Sequence, residues 1–177
     1  PAPSLPSTGG DPSAAHVSTE RLWRHSARDY GLKMHISEVL VRKPKGSVVT
    51  VTPDTTIRQL LGILAEHNIG ACIVSDGDDI QGIVSERDVV RRLHSDGANV
   101  AIESTVSAIM TAEVTVCSPA DAVEEILGVM TERRIRHLPV VDDGRLVGIV
   151  SIGDLVKHRI DQLTFERDQL DSYVRQS

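Results

Sequence analysis

The sequence predicts an α+β fold: two βαββα repeats packed together with pseudo-twofold symmetry. Three observations carry this expectation. Displacing the chain against itself by 66 positions lays residues 48–92 over 114–158 without a gap. Both copies show the same order of apolar patterns: strand, helix, strand, strand, helix. One copy spans only about 60 residues, which is marginal for folding alone, so two units are expected to pack face to face and share a core.

The elements follow in order. Val48–Thr52 is a β-rich run closed by Pro53. Thr55–His67 is helical, with Ile57, Leu60, Leu61 and Leu64 recurring at i, i+3, i+4 and i+7. Gly70–Ser75 and Ile80–Val84 read as strands around the turn Asp76-Gly77-Asp78-Asp79, and a second helix starts at Ser85. In the second copy Val123, Ile126, Leu127 and Met130 repeat the helical spacing, and Leu138–Val141 and Leu146–Val150 flank the turn Asp142-Asp143-Gly144. Identities fix the register: Val48 on Val114, Pro53 on Pro119, Ile69 on Ile135, and Gly82-Ile83-Val84-Ser85 on Gly148-Ile149-Val150-Ser151. Gly62 and Gly128 coincide inside the first helix of each copy. Glycine there costs about 1 kcal/mol relative to alanine, so the pair points to a close approach by a neighbour.

Residues 1–20, rich in Pro, Ser, Gly, Ala and Thr, read as a flexible extension. Residues 20–33 are either a short amphipathic helix or its continuation. The organisation is thus an extension over 1–33, repeats over 34–97 and 98–159, and a C-terminal helix over 160–177. In that last segment Ile160, Leu163, Leu170 and Val174 fall near heptad positions, interrupted by Arg167. So few turns do not make a coiled coil alone; packing on the repeats or on a second subunit is expected.

Composition excludes several classes. A 40% hydrophobic and 25% charged chain is that of a globular protein with a real core. A formal net charge of -6 argues against a polycation that wraps nucleic acid. No apolar run approaches the roughly 20 residues of a membrane-spanning helix, and Pro1–Gly10 does not read as a secretory signal. Two cysteines, Cys72 and Cys117, give no disulfide framework and no four-ligand zinc site; both are expected on buried strands, and a cytoplasmic setting fits. Trp23, Tyr30, Phe165 and Tyr173 all lie outside the central region, so no ligand there is stacked between aromatic rings.

The sharpest motif is Gly-hydrophobic-hydrophobic-Ser-x-x-Asp, present at Gly82–Asp88 and again at Gly148–Asp154. Helix capping alone accounts for an isolated Ser-x-x-Asp: Ser85 and Ser151 as N-caps, with the acid in the first turn. The same geometry suits a nucleotide. A helix N-terminus offers free N–H groups to phosphate, and an ionised Asp88 or Asp154 accepts hydrogen bonds from the two hydroxyls of a ribose. Cations for phosphate are at hand in Arg133, Arg134, Arg136 and His137 for the second repeat, and in Arg87 and Arg42-Lys43-Pro44-Lys45-Gly46-Ser47 for the first. Each taken singly also fits a solvated surface charge.

Ile109-Met110-Thr111, Thr115–Pro119, Arg134–Val140 and Gly148–Val156 resemble a CBS domain, the unit named after cystathionine β-synthase, and residues 35–96 resemble a preceding copy. The resemblance to a tandem pair, or Bateman module, covers about 36–158. It implies repeats packed through their sheets, no catalysis, and an adenosyl ligand such as AMP, ADP, ATP, NAD or S-adenosylmethionine in the clefts between them. It assigns ribose to Asp88 with Ser85 and to Asp154 with Ser151. Thr52, Pro53, Ile69, Gly70, Ala71, Ser118, Pro119, Arg136, His137 and Leu138 would flank the base. Arg87, Gly153 and Lys45 complete the expected set. Gly70-Ala71-Cys72 stands where the second copy has Arg136-His137-Leu138, and Arg87 stands where it has Gly153, so the clefts are expected to differ in room and charge. The resemblance also implies a homodimer and a downstream protein that reads the ligand state. Two alternatives stay open: a structural or partner-binding module without ligand, and a nucleotide-processing enzyme. Against the enzyme, no Ser/His/Asp, paired-carboxylate or metal-spaced constellation stands out.

Overall fold

Helix ends show how local chemistry starts the architecture. Thr56 caps α2 (Ile57–His67): its hydroxyl accepts the Gln59 N–H at 3.2 Å, and the Gln59 side chain accepts the Thr56 N–H at 2.9 Å. That reciprocal box satisfies two donors the helix leaves free. Asn68 ends α2 with a left-handed φ of 52°, which its side chain tolerates. Ile57, Leu60 and Leu64 form the buried face, as the spacing predicts.

The computed structural model describes residues 33–43, 48–77 and 79–175. The expected extension up to residue 32, and Lys45, lie outside them. The order is α1 (Ile36–Arg42), β1 (Thr50–Val51), α2, β2 (Ala71–Asp76), β3 (Asp79–Ser85), α3 (Glu86–Asp96), α4 (Ala98–Glu103), a 3-10 turn (Val106–Ala108), α5 (Val123–Glu132), β4 (His137–Asp142), β5 (Arg145–Ser151) and α6 (Ile152–Arg175). The fold is α+β, with the duplicated order the sequence predicts.

The duplication extends to register. In the first copy β1 runs parallel to β2 and pairs Val51 with Val74; in the second a single parallel bridge joins Cys117 to Val140, each 66 positions on. The antiparallel β2–β3 ladder slips between Val74 and Ser75, and β4–β5 slips at the equivalent Val140 and Val141. At the tip of β4–β5, Asp143 and Gly144 take φ of 45° and 79°, the two positive values of the tight turn that matches strand twist.

Packing crosses the repeats. The buried side chains form two clusters, not one shared core. Val51, Ile57, Leu60, Cys72, Val84 and Val89 gather with Val106, and Ile109 and Met110 pack against them. Val123, Met130, Leu138, Val150 and Leu155 gather with Met34, Ile36 and Val39, and Leu40 packs against them. The segment ahead of each repeat therefore completes the other one. Backbone bonds stitch both exchanges: Ile36 and Ser37 N–H to Asp121 and Pro119 carbonyls, and Val106 and Ser107 N–H to Thr55 and Pro53 carbonyls.

Two expectations are corrected. The C-terminal helix is not separate: α6 runs unbroken from Ile152, because no proline, and no glycine after Gly153, interrupts it. Its Ile160, Leu163, Phe165 and Leu170 are exposed, while Arg159 and Asp161 tie it to Glu124 and Arg42. Gly62 and Gly128 have no neighbouring atom, among the described residues, within 4 Å of where a Cβ would stand. The glycines that answer to close packing are Gly82 and Gly148, pressed by Met110 and Leu40 of the crossing segments.

Candidate functional site

The motif lies where a strand passes directly into a helix. Ser85 ends β3 and starts α3; Ser151 ends β5 and starts α6. The first helical N–H of each is fixed by the neighbouring strand: Glu86 N–H donates to the Gly70 carbonyl at 3.1 Å, and Ile152 N–H to the Arg136 carbonyl at 2.9 Å. Gly70 with Ala71, and Arg136 with His137 and Leu138, are thereby brought against the helix starts.

Both capping and acid geometry are present. The Ser85 N–H and hydroxyl donate to Asp88 Oδ2 at 2.9 and 2.6 Å. The Ser151 N–H and hydroxyl donate to Asp154 Oδ2, both at 2.8 Å, and Asp154 N–H returns a bond to Ser151 Oγ at 3.1 Å. Only one carboxylate oxygen of each acid is spent. Among the described residues no hydrogen bond reaches Oδ1 of either, and the exposed Arg91 guanidinium stands 3.8 Å from Asp88 Oδ1.

The second site carries a cation from the run expected to serve the first repeat, because the segment that ends in Lys43 crosses to the other repeat. Lys43, just past α1, donates from Nζ to Asp154 Oδ2 at 2.7 Å and to the Ile149 carbonyl at 2.8 Å. Burial pushes the Asp154 carboxyl up, but the Lys43 and Ser151 hydrogen bonds and the lysine charge outweigh it and hold it below the usual carboxylate range. His137 lies beside this group, its ring against Gly70 and close to Glu86. Burial lowers its pKa, with Asp154 and Glu86 opposing the shift and Lys43 and Arg136 assisting it. Lys43 was visible in the Arg42–Ser47 run, yet nothing in a linear charge run says which lysine meets the carboxylate.

The other expected residues are divided between the helix starts, where Arg87 and Gly153 lie, and the crossing segments. Thr52 lines an open groove of about 610 Å³ with Asp54, Thr55, Gln59, Gly62, Ile63 and Glu66; neither Ser85 nor Asp88 borders it. The Pro53 and Pro119 carbonyls hold the crossing segments, and Ser118 N–H donates to Asp121 at 2.7 Å. Ile69 is half-buried, and Arg87 and Gly153 are exposed. The thiols are inert: burial pushes Cys72 up to about 11, and burial with the Asp121 charge pushes Cys117 up to about 12. Among the described residues no group of three His, Cys, Asp or Glu side chains is arranged to hold a metal, and no helix is long and apolar enough to cross a membrane.

Comparison with known proteins matches this geometry. The family profile described as CBS domain fits residues 36–95 and again 106–161. The CBS domain-containing protein CBSX3, mitochondrial, of Arabidopsis thaliana is 34% identical over 149 residues, covering 79% of this chain and 71% of that protein. A crystal structure of a CBS-domain-containing protein from Agrobacterium tumefaciens superposes with a TM-score of 0.68 at 40% identity, over 71% of this chain and 99% of that one. The CBS domain pair of protein MJ0100, in complex with 5′-methylthioadenosine and S-adenosyl-L-methionine, superposes with a TM-score of 0.65 at 26% identity, over 74% and 99% of the two chains.

Proposed function

The chain belongs to the CBS-domain family, and on that premise we propose that it is a non-catalytic sensor that binds an adenosyl ligand between its repeats and signals by a change of conformation. One observation carries the reading. Each repeat holds a carboxylate rigidly by one oxygen, at a helix start, with its other oxygen unbonded among the described residues. A preorganised acceptor of that kind suits a ribose diol. The related pair that holds two adenosyl compounds supports the ligand class. A switch needs differential binding to two states. The crossing segments offer the element to shift, because Met34–Lys43 and Ile109–Thr111 run from one repeat to the other.

A second reading has its own support. The acids already accept the N–H at each helix start, and Ser151 accepts the Asp154 N–H in return, so the same motif persists in a partner-binding module without ligand. Either way, a homodimer fits: Gly62, Leu61 and the groove beside them leave α2 open to a second copy. A downstream protein would read the state, and a reducing cytoplasm fits the free buried thiols.

Thermal melting with AMP, ATP, NAD and S-adenosylmethionine separates the two. A ligand at 100 times its Kd adds about 2.7 kcal/mol, a rise of roughly 5–10 °C in a chain of this size. No rise with any of the four favours the ligand-free module. Turnover of a bound nucleotide would overturn both.

A further inference from the structure

The two copies differ at one chemically decisive place, the chain just after the crossing segment. Leu40 and Met110 hold equivalent positions, the first over Gly148 and the second over Gly82. Three residues further on stand Lys43 in one case and Glu113 in the other. Residues 44–47 then intervene before Val48, whereas Glu113 adjoins its counterpart Val114 directly.

The bonding differs accordingly. In the first copy the Ile83 carbonyl accepts Thr111 N–H at 2.9 Å, and Ile83 N–H donates back to the Thr111 carbonyl at 3.0 Å. In the second, the equivalent Ile149 carbonyl accepts the Lys43 ammonium at 2.8 Å. That bond and the 2.7 Å contact to Asp154 Oδ2 fix Nζ beside the candidate ribose acid. Lysine has three N–H donors, and among the described residues two have acceptors. Among the described residues no lysine meets Asp88: its oxygens meet Ser85 and, at 3.8 Å, the exposed Arg91.

We infer that Lys43 selects ligands by charge: it fits the Asp154 cleft to a phosphorylated adenosyl ligand over an uncharged one. The inference rests on the adenosyl-binding reading and deepens it. Lys43 cancels the carboxylate charge that would repel a phosphate and keeps one donor for it. His137, held toward its neutral form, adds no competing cation at pH 7.

The probes are AMP and adenosine, titrated calorimetrically into the full chain carrying Asp88→Ala, which silences the first cleft. In that background Lys43→Met should weaken AMP by about tenfold, the loss of one charge-assisted hydrogen bond at a part-exposed site. It should change adenosine by less than about threefold, and Lys43→Arg should restore most of the AMP affinity. Melting curves of each variant show whether the fold is retained. If AMP and adenosine weaken together, Lys43 positions the ribose acid and selects nothing, so this inference falls while the adenosyl site stands. If neither probe binds the unmutated chain, the adenosyl reading and this inference fall together.

Discussion

Gly82→Ala tests the crossed packing directly. A methyl group at Gly82 would lie 2.7 Å from Met110 Sδ and 2.9 Å from the Thr111 carbonyl oxygen. The methionine can move, but the carbonyl cannot without breaking its bond from Ile83 N–H, made at 3.0 Å. Overpacking costs about 1–3 kcal/mol, and one lost backbone hydrogen bond adds about 1 kcal/mol. The sum is about 2–4 kcal/mol. In a chain of this length each kcal/mol shifts the midpoint by about 2–4 °C, so the melting temperature should fall by roughly 5–15 °C. Gly148→Ala is the internal control. Its methyl would meet only Leu40, with Cδ2 at 2.6 Å, and a leucine can change rotamer, so about 1 kcal/mol and roughly 2–4 °C are expected. Circular dichroism melts of the two variants decide the matter. A Gly82→Ala protein within 2 °C of the parent, or one more stable than Gly148→Ala, would refute the argument that Met110–Thr111 is clamped on the first repeat.

Two further predictions follow from a buried imidazole, His158, and a half-buried one, His137. His158 is 5% exposed, and neither ring nitrogen finds a partner among the described residues. His158→Leu should therefore raise stability by about 1–2 kcal/mol, read as a higher urea midpoint at unchanged slope; a loss would mean that the ring has a partner. His137 has a folded-state pKa below its unfolded value, so the unfolded chain takes up its proton first as pH falls. Stability due to neutral His137 is complete above the unfolded value of about 6.5 and is lost as pH drops below it toward the folded value. Urea midpoints of the parent should fall between pH 7 and 5, and His137→Asn should flatten that decline; equal slopes would remove His137 as the cause.

Much of this was legible in the residues because the duplication is gapless. The offset that overlays Gly82–Ser85 on Gly148–Ser151 also relates the strand partners and the slips of the two ladders, since register is inherited with sequence. The motif acids were legible because Ser-x-x-Asp is a local arrangement, complete within one turn of helix. What stayed hidden was non-local. The exchange of Met34–Leu40 and Val106–Met110 between repeats depends on which of two similar apolar surfaces a segment meets, and periodicity is the same for both. Gly62 and Gly82 are both glycines in regular elements, yet only Gly82 has a neighbour pressing on it. Lys43 stands in a run with Arg42 and Lys45, and only the fold selects the residue that reaches Asp154.

The motif acids serve the fold and the candidate site through different atoms, and that division sharpens how they must be tested. Oδ2 of Asp88 and Asp154 holds the helix start, and Oδ1 makes no hydrogen bond among the described residues, the Arg91 guanidinium standing 3.8 Å from that of Asp88. Alanine removes both oxygens, so weaker binding in Asp88→Ala mixes a lost cap, about 1 kcal/mol, with a lost ligand contact. Asparagine separates them. Its carbonyl can replace Oδ2 and keep the serine bonds, while its amide presents a donor where the acid presented an acceptor. Asp88→Asn should therefore melt within a few degrees of the parent, yet lose binding of a ribose-bearing probe at that cleft by about tenfold or more. A variant that melts normally and binds normally would confine the acid to capping and leave the ligand-free module as the better account of the chain.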